Sequence, residues 1–363
     1  MIDLTACNTA INDFSGSEKK FALIYNNEKY MVKFPDPIRE KHNNLSYMNN
    51  QYSEYIGCEI FRTLQIPVQS TFLAKYTDKR GIEKIVVACK DFRKKDERLV
   101  EFSKFAISQV SSDNSFSTSI ESVDEIIDTL PEAIIAPTKK RFWDMFVADA
   151  LIGNTDRHFD NWGFIADKDD NLSLAPVYDC GSSLNSLLAD DKMAVLLESK
   201  ADLKSESYNI ASIYSLKGKR ILYHEIFKTP PAELQKAIFR IVPRIDLEKI
   251  HSIINSAEGM SNIRKSFLRQ AISMRYELIL KPALTKLLDN EISKQYSSTE
   301  RITQRIISNV KSGISFRDIQ KEADKYMEGH RQDKRAKFKA ALKEACKDPN
   351  IKKIISKQQG YEL

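Results

Sequence analysis

Between Leu151 and Leu184 the chain reads LIGNTDRHFDNWGFIADKDDNLSLAPVYDCGSSL, and its polar residues are of the types that move a phosphoryl group. Asp156 is followed five positions on by Asn161, and eighteen positions further by Asp179. Transfer to a hydroxyl needs a carboxylate that accepts or orients the hydroxyl proton. It also needs an amide carbonyl and a second carboxylate to hold a hard divalent cation on the phosphate oxygens. Asp156 suits the first task, and Asn161 with Asp179 suits the second.

A D-x-x-x-x-N pair alone is an ordinary solvated turn. Here it stands with Gly153, Arg157 and His158, and Asp179-Cys180-Gly181 follows an apolar run of Leu172, Leu174, Ala175 and Val177. Protein kinases space the same residue types as H-R-D-x-x-x-x-N followed by D-F-G. The stretch therefore reads as a kinase active site. A helix must hold it: Phe142, Trp143, Phe146, Val147, Ala150 and Leu151 recur at helical spacing, with Thr138 expected as the N-cap and Gly153 as a left-handed C-cap.

Upstream, FSGSEKKFALIYNNEKYMVKFP reads as a polar loop, a strand, an Asn26-Asn27 turn and a second strand. Ser15, Gly16 and Ser17 suit phosphate cradling, since small residues let backbone N–H groups approach oxygens; a plain surface turn is the alternative. Lys33 sits inside an apolar strand, where a lysine needs a carboxylate, a ligand phosphate or an edge position. The amphipathic segment NNQYSEYIGCEIFRTLQI offers Glu54, with Glu59 as the competing partner. Two further strands, VQSTFLAKY and EKIVVACKDF, turn around Asp78 to Gly81, and the second ends at Lys90, Asp91 and Phe92. That crossing offers backbone groups and an aromatic ring to an adenine.

At 363 residues, 42% hydrophobic and 29% charged, the chain is an ordinary globular protein with room for two or three packed units. No apolar run approaches a membrane span, and no secretory signal is visible, so a cytoplasmic setting is expected, with secretion as an effector left open. Five scattered cysteines exclude a disulfide framework or zinc knuckle, and Cys180 reads as a small packing residue. Residues 103–125 are Ser-rich and read as a flexible connection, after which helical patterns dominate to Asp289. His224, His251 and His330 lack neighbours at metal spacing. The net charge of +6 belongs to the tail: from Glu291 onward there are 17 Lys/Arg against 10 Asp/Glu, leaving the body near neutral. Its amphipathic helices could dock on the body, bind an acidic partner or nucleic acid, or form a solvated extension.

These landmarks (FSGSEKK, YMVKFP, SEYIGCEI, VVACKDF, WDMFVADALIGNTDRHFDNWGF and APVYDCGSSL, in one order) resemble the HipA-like Ser/Thr protein kinases, most closely the CtkA-type branch, over residues 14–285. The Asp-Arg-His-x-x-Asn wording also resembles phosphoinositide lipid kinases, so a lipid or small-molecule kinase, or a pseudokinase module, stands as the alternative. The resemblance implies an α+β, two-lobed protein-kinase-like fold, with a small antiparallel sheet N-lobe at 1–92 and a mostly helical C-lobe at 93–289, while the basic tail at 290–363 lies outside the family core. It implies ATP and Mg2+ as cofactors and a protein hydroxyl as acceptor. Asp156 would be the catalytic base, and Asn161 and Asp179 the metal ligands. Lys33, paired with Glu54, would hold the α/β-phosphates, and the loop at 15–20 would cover the nucleotide. Lys90, Asp91 and Phe92 would form the adenine hinge, with His158 beside the nucleotide. Ser15 and Ser17 are candidate autophosphorylation sites. HipA toxins carry an extra subdomain ahead of this loop, and only about a dozen residues precede it here, so a small antitoxin-like partner is conceivable.

Overall fold

The computed structural model describes residues 1–11, 20–35, 49–107, 118–295, 298–315, 318–319 and 331–359. The chain divides into two compact units, Met1–Leu280 and Lys281–Leu363. In the first, alternating β-branched and aromatic residues build one sheet. Strands β1 (Ile2–Asp3), β2 (Thr9–Ala10), β3 (Lys20–Tyr25) and β4 (Glu28–Lys33) come before helix α1 (Asn50–Thr63). Strands β5 (Thr71–Thr77) and β6 (Glu83–Lys90) follow it, and the spatial order is β1-β5-β6-β4-β3-β2. All neighbours are antiparallel except β1 against β5. The expected hairpin is present: Asn26 and Asn27 both take left-handed backbone, at φ 50° and 61°, which matches strand twist in a two-residue turn. Leu4, Leu23, Val32, Phe34, Ala74, Val86 and Ala88 form one apolar cluster within this sheet. Strands β1 and β2 hold two residues each, too short for alternation to reveal. Ser15, Gly16 and Ser17 lie outside the described residues.

A second, mostly helical part follows. It runs through β7 (Arg98–Glu101), α2 (Ser103–Ile107), α3 (Ile120–Ile127), α4 (Glu132–Ile152), β8 (Gly163–Ala166) and β9 (Leu172–Leu174). Then come α5 (Asp190–Glu198), α6 (Lys200–Tyr208), β10 (Ala211–Leu216), β11 (Lys219–Leu222), α7 (Tyr223–Ile226), α8 (Ala232–Ile241), α9 (Leu247–Ser256) and α10 (Asn262–Arg275). The result is α+β, with a small, largely antiparallel sheet lobe and a helical lobe, as expected.

Helix α4 is the frame of the helical lobe. Its C-terminal half is buried on all sides, from Phe142 to Ile152, which makes it a core helix rather than a surface one. Thr138 is not its cap. The helix begins at Glu132, and Thr138 instead returns its hydroxyl to the carbonyl of Ile134 at 2.6 Å. Serine and threonine make that backward bond inside helices as readily as they cap them, so the local signal misplaces the start. Gly153 ends α4 in the left-handed conformation, at φ 65°. A Cβ there would also lie 2.7 Å from the guanidinium carbon of Arg275. Gly153→Ala is therefore expected to cost about 1–3 kcal/mol, read as a lowered unfolding midpoint in urea at unchanged slope.

Two other expectations change. The Ser-rich stretch is helical at its two ends, in α2 and in α3, the latter capped by Ser119, whose hydroxyl accepts from Ser122 N–H at 3.0 Å; residues 108–117 lie outside the described residues. The helical stretch after Asp124 is interrupted by the β10–β11 hairpin, turned on Lys217 and Gly218 at positive φ. His224 stacks on Tyr208, and His251 hydrogen-bonds Ser273, both packing roles. His330 lies outside the described residues.

The second unit is not a solvated extension. Helices at Lys281–Gln295, Ser298–Lys311, Arg331–Ala345 and Pro349–Gln359 take in the basic tail together with residues 281–289. Ile306, Val310, Ile314, Ile319, Ala341, Ala345, Ile351 and Ile355 form a core of its own. Among the described residues, Lys311, Lys339, Lys343, Lys347, Lys352, Lys353 and Lys357 are left exposed around this core.

Candidate active site

Lys33 ends β4 with its amine buried, and a buried ammonium must be paired. Its Nζ donates to Glu54 Oε2 at 3.0 Å and to Asp179 Oδ1 at 2.8 Å. Glu54 comes from α1 and is fully buried, whereas Glu59 pairs with Arg62 on the surface of the same helix. Three segments far apart in sequence thus meet at one amine. Gly57 permits it: α1 lies so close to the Asp179-Cys180-Gly181 turn that a Cβ on Gly57 would sit 2.6 Å from Cys180 Cβ.

Asp179 itself has left-handed backbone, at φ 59°, a strained conformation for a non-glycine residue. Burial raises its pKa, but the charge and hydrogen bond of Lys33, helped by Arg157 and His158, outweigh that and hold it below the ordinary aspartate range. It stays a carboxylate. Asp156 goes the other way: burial pushes it up, His158 opposes, Asp179 adds repulsion, and the balance is upward. Two acids with pKa values pushed apart are the pattern expected of an acid–base group beside a charge-holding group.

The loop carrying Asp156 and Asn161 is held by Arg157. Its guanidinium is buried and makes a two-pronged ion pair with Asp149 of α4, Nε to Oδ2 and Nη2 to Oδ1, each at 3.0 Å. Its Nη1 donates to the carbonyl oxygens of Asn161 at 3.1 Å and Asp179 at 2.9 Å, and also to that of Tyr178. Asn154 completes the set, donating to Asp149 Oδ1 at 3.0 Å and accepting the Asp156 N–H at 3.0 Å. Asn161 Nδ2 donates to the Asp156 carbonyl at 2.7 Å. One arginine therefore ties both loops to the core helix, and such support sets a site's precision. Sequence reasoning singles out Arg157 only as part of a motif and misses Asp149. The available signal was an aspartate inside the apolar run FVADALI, since a buried carboxylate implies a partner.

His158 lies beside the Asp156 carboxylate, with Nε2 3.9 Å from Oδ2, while its Nδ1 accepts from Asp160 N–H at 3.2 Å. At the crossing between the lobes, Lys90 and Asp91 direct their N–H groups to Ser70 and Lys29, at 2.8 Å each. Phe92 stacks on Tyr178, ring centres 5.9 Å apart, and its own backbone forms no hydrogen bond among the described residues. The Lys90 side chain turns to Glu28, at 2.9 Å.

A second group of ligand-type atoms, from Glu54, Cys58 and Cys180, gathers within 4.8 Å. The hydrogen bond that the Cys58 S–H makes with Cys180, then burial, pushes the Cys58 thiol well up, so it stays protonated. Thiols also suit soft metals, whereas Asn161 and Asp179 offer the oxygen donors that a hard cation takes. Cys180 is a packing residue against α1 and Arg157.

The HipA-like C-terminal domain family matches residues 13–244. A curated relative, the serine/threonine-protein kinase CtkA of Helicobacter pylori, is 38% identical over 304 residues, 81% of this chain and 90% of its own. The chain belongs to the HipA-like family. The crystal structure described as a Helicobacter pylori proinflammatory kinase CtkA superimposes with TM-score 0.74 at 37% identity, covering 82% of this chain and 99% of that one. A Shewanella oneidensis HipA, solved with HipB and operator DNA, matches at TM-score 0.48 and 13% identity over 76% of this chain and 65% of that one, too distant to argue from. The enzyme class of this HipA-like chain is that of a serine/threonine-protein kinase. Among the described residues no helix is long and apolar enough to cross a membrane.

Proposed function

We propose that this chain transfers the γ-phosphoryl group of ATP, with Mg2+, to a serine or threonine hydroxyl of a protein, itself included. The observation that carries the reading is the convergence of Glu54, Lys33 and Asp179 beside a loop that presents Asp156 and is pinned by Arg157. The donor set fits a nucleotide and a hard cation: one ammonium for phosphate oxygens, and a carboxylate and an amide oxygen for the metal. When bound, the cation with its nucleotide supplies charge neutralisation on the phosphates and the phosphoryl group itself.

The chain's residues do the rest. Lys33, fixed by Glu54, holds the α/β-phosphates, and Asn161 with Asp179 holds the metal. Asp156 orients the acceptor hydroxyl and takes its proton; its raised pKa makes it a better base than an ordinary aspartate. Phe92 offers its free backbone groups and its ring to the adenine, and Lys90 and Asp91 shape the crossing. His158 steadies the Asp156 carboxylate from the nucleotide side. Residues 15–17 act as the cover over the phosphates in this proposal.

Thermal unfolding with nucleotide tests the site. ATP at about one hundred times its dissociation constant is expected to stabilise the wild type by about 2.7 kcal/mol in the presence of Mg2+. The stabilisation falls when EDTA removes the metal, and Asp179→Asn erases the difference between Mg2+ and EDTA. Equal stabilisation with and without metal in the wild type would speak against Asp179 as a ligand.

A further inference from the structure

A cavity of about 810 Å³ opens on the helical lobe beside Asp156, a size typical of ligand sites. Asp156, Ser182, Asn185, Leu187, Glu206 and Arg220 are among the residues that line it. Asp156 and Ser182 both line it, so the cavity opens onto the base rather than lying remote from it. The chain at its lining is strained: Asn185 is left-handed at φ 52°, as is the buried Leu184 just before it at φ 54°, five residues after Asp179 at φ 59°. A leucine in that conformation persists only where its surroundings over-determine it, and such strain gathers at binding sites. On the rim, Leu187 exposes 59% of its surface, an apolar contact offered to solvent.

The charges are uneven. Among the lining residues two carboxylates, Asp156 and Glu206, face one guanidinium, Arg220, whose Nε is already given to the Ser212 carbonyl at 3.0 Å. Glu206 is positioned from behind. Its Oε1 accepts from Asn185 Nδ2 at 2.7 Å, and Asn185 Oδ1 accepts from the buried Arg275 at 2.7 Å. Among the described residues no carboxylate lies within ion-pair distance of Arg275, which feels the Glu206 charge across this amide relay rather than by direct contact.

We infer that this cavity is the acceptor groove, and that it takes an extended polypeptide segment whose serine or threonine reaches Asp156 while a neighbouring lysine or arginine meets Glu206. This rests on the phosphoryl-transfer reading above. An extended segment, with its backbone N–H and C=O groups in need of partners, fits a lining that supplies Ser182, Asn185, Ser186, Ser205 and Asn209 together with the exposed Leu187. A cationic flank fits Glu206, a lining carboxylate that is partly exposed and makes no ion pair among the described residues.

The test uses the full chain, labelled ATP with Mg2+, and three synthetic peptides with one serine flanked on both sides by lysine, by alanine or by glutamate. The lysine peptide is expected to exceed the alanine peptide in kcat/KM by about fivefold, mainly through KM, with the glutamate peptide poorest. Glu206→Gln keeps the hydrogen bond to Asn185 and removes the charge, and is expected to bring the lysine peptide down to the alanine level. Should that variant fold poorly, the wild-type comparison decides by itself. Equal turnover of the three peptides, or labelling of phosphoinositide vesicles in place of any peptide, overturns the inference and leaves transfer at Asp156 standing. Absence of transfer to every acceptor, the chain itself included, overturns the underlying reading and this inference with it.

Discussion

Asp156→Asn is expected to lower phosphoryl transfer by about 10³-fold, the usual worth of a positioned general base, without destabilising the fold. The variant keeps the size of the side chain and the anchoring of the loop, because Arg157, Asn154 and Asn161 bond the loop through other atoms. What it removes is a carboxylate whose pKa is raised by burial and by Asp179, against His158 and Arg157. The sign for stability follows. A folded-state pKa above the unfolded one means that the protonated form favours the fold. Its favourable contribution is present at low pH and is lost as pH rises through the raised value. An amide that cannot ionise escapes that loss, so the midpoint of thermal unfolding at pH 7 is expected to equal or slightly exceed the wild type's. Activity has the opposite pH dependence, falling as the medium is acidified through the same raised pKa, above the range of an ordinary aspartate. Label incorporation across pH and a thermal melt of both proteins check this. A variant that loses activity by unfolding would make Asp156 structural.

Arg157→Met is expected to have the largest effect on stability. It strands the Asp149 carboxylate inside α4 with Asn154 as its remaining partner, and breaking a buried pair from one side costs about 3–5 kcal/mol. Domains are stable by about 5–15 kcal/mol, so the loss takes a large share. It also frees the carbonyls of Asn161 and Asp179, so activity is lost with it. The double variant Arg157→Met with Asp149→Leu separates the two roles. Removing both charges is expected to restore much of the stability, since an apolar pair fills a buried site as well as an ion pair. Transfer stays low, because nothing then ties the two loops together. Chemical denaturation of the three proteins checks the order: wild type, double variant, single variant. A single variant as stable as the wild type would remove Arg157 from its anchoring role.

Much of this site was legible because its residues are out of place by ordinary rules. Lysine in an apolar strand demanded a partner, and helical spacing offered Glu54 and Glu59; burial of Glu54 and the surface pairing of Glu59 decide between them. Asn26-Asn27 and Gly153 carried their backbone conformations in their residue types. Thr138 was misleading because capping and backward bonding draw on the same residue. The β10–β11 hairpin hid in a polar segment whose strands pair with a register shift, and its Lys217-Gly218 turn resembles any exposed lysine loop. The tail's apolar stripes were visible, but not that they would find one another. The acceptor groove was beyond reach, since Asp156, Asn185 and Glu206 are joined only by tertiary packing.

The most direct measurement is transfer of labelled phosphate from ATP to protein by the purified wild type and by Asp156→Asn, each with Mg2+ and with EDTA. Label on serine or threonine in the wild type with metal alone, and its near-complete loss in the variant and in EDTA, is the predicted result. Equal labelling by the two proteins, or labelling that ignores the metal, would contradict it.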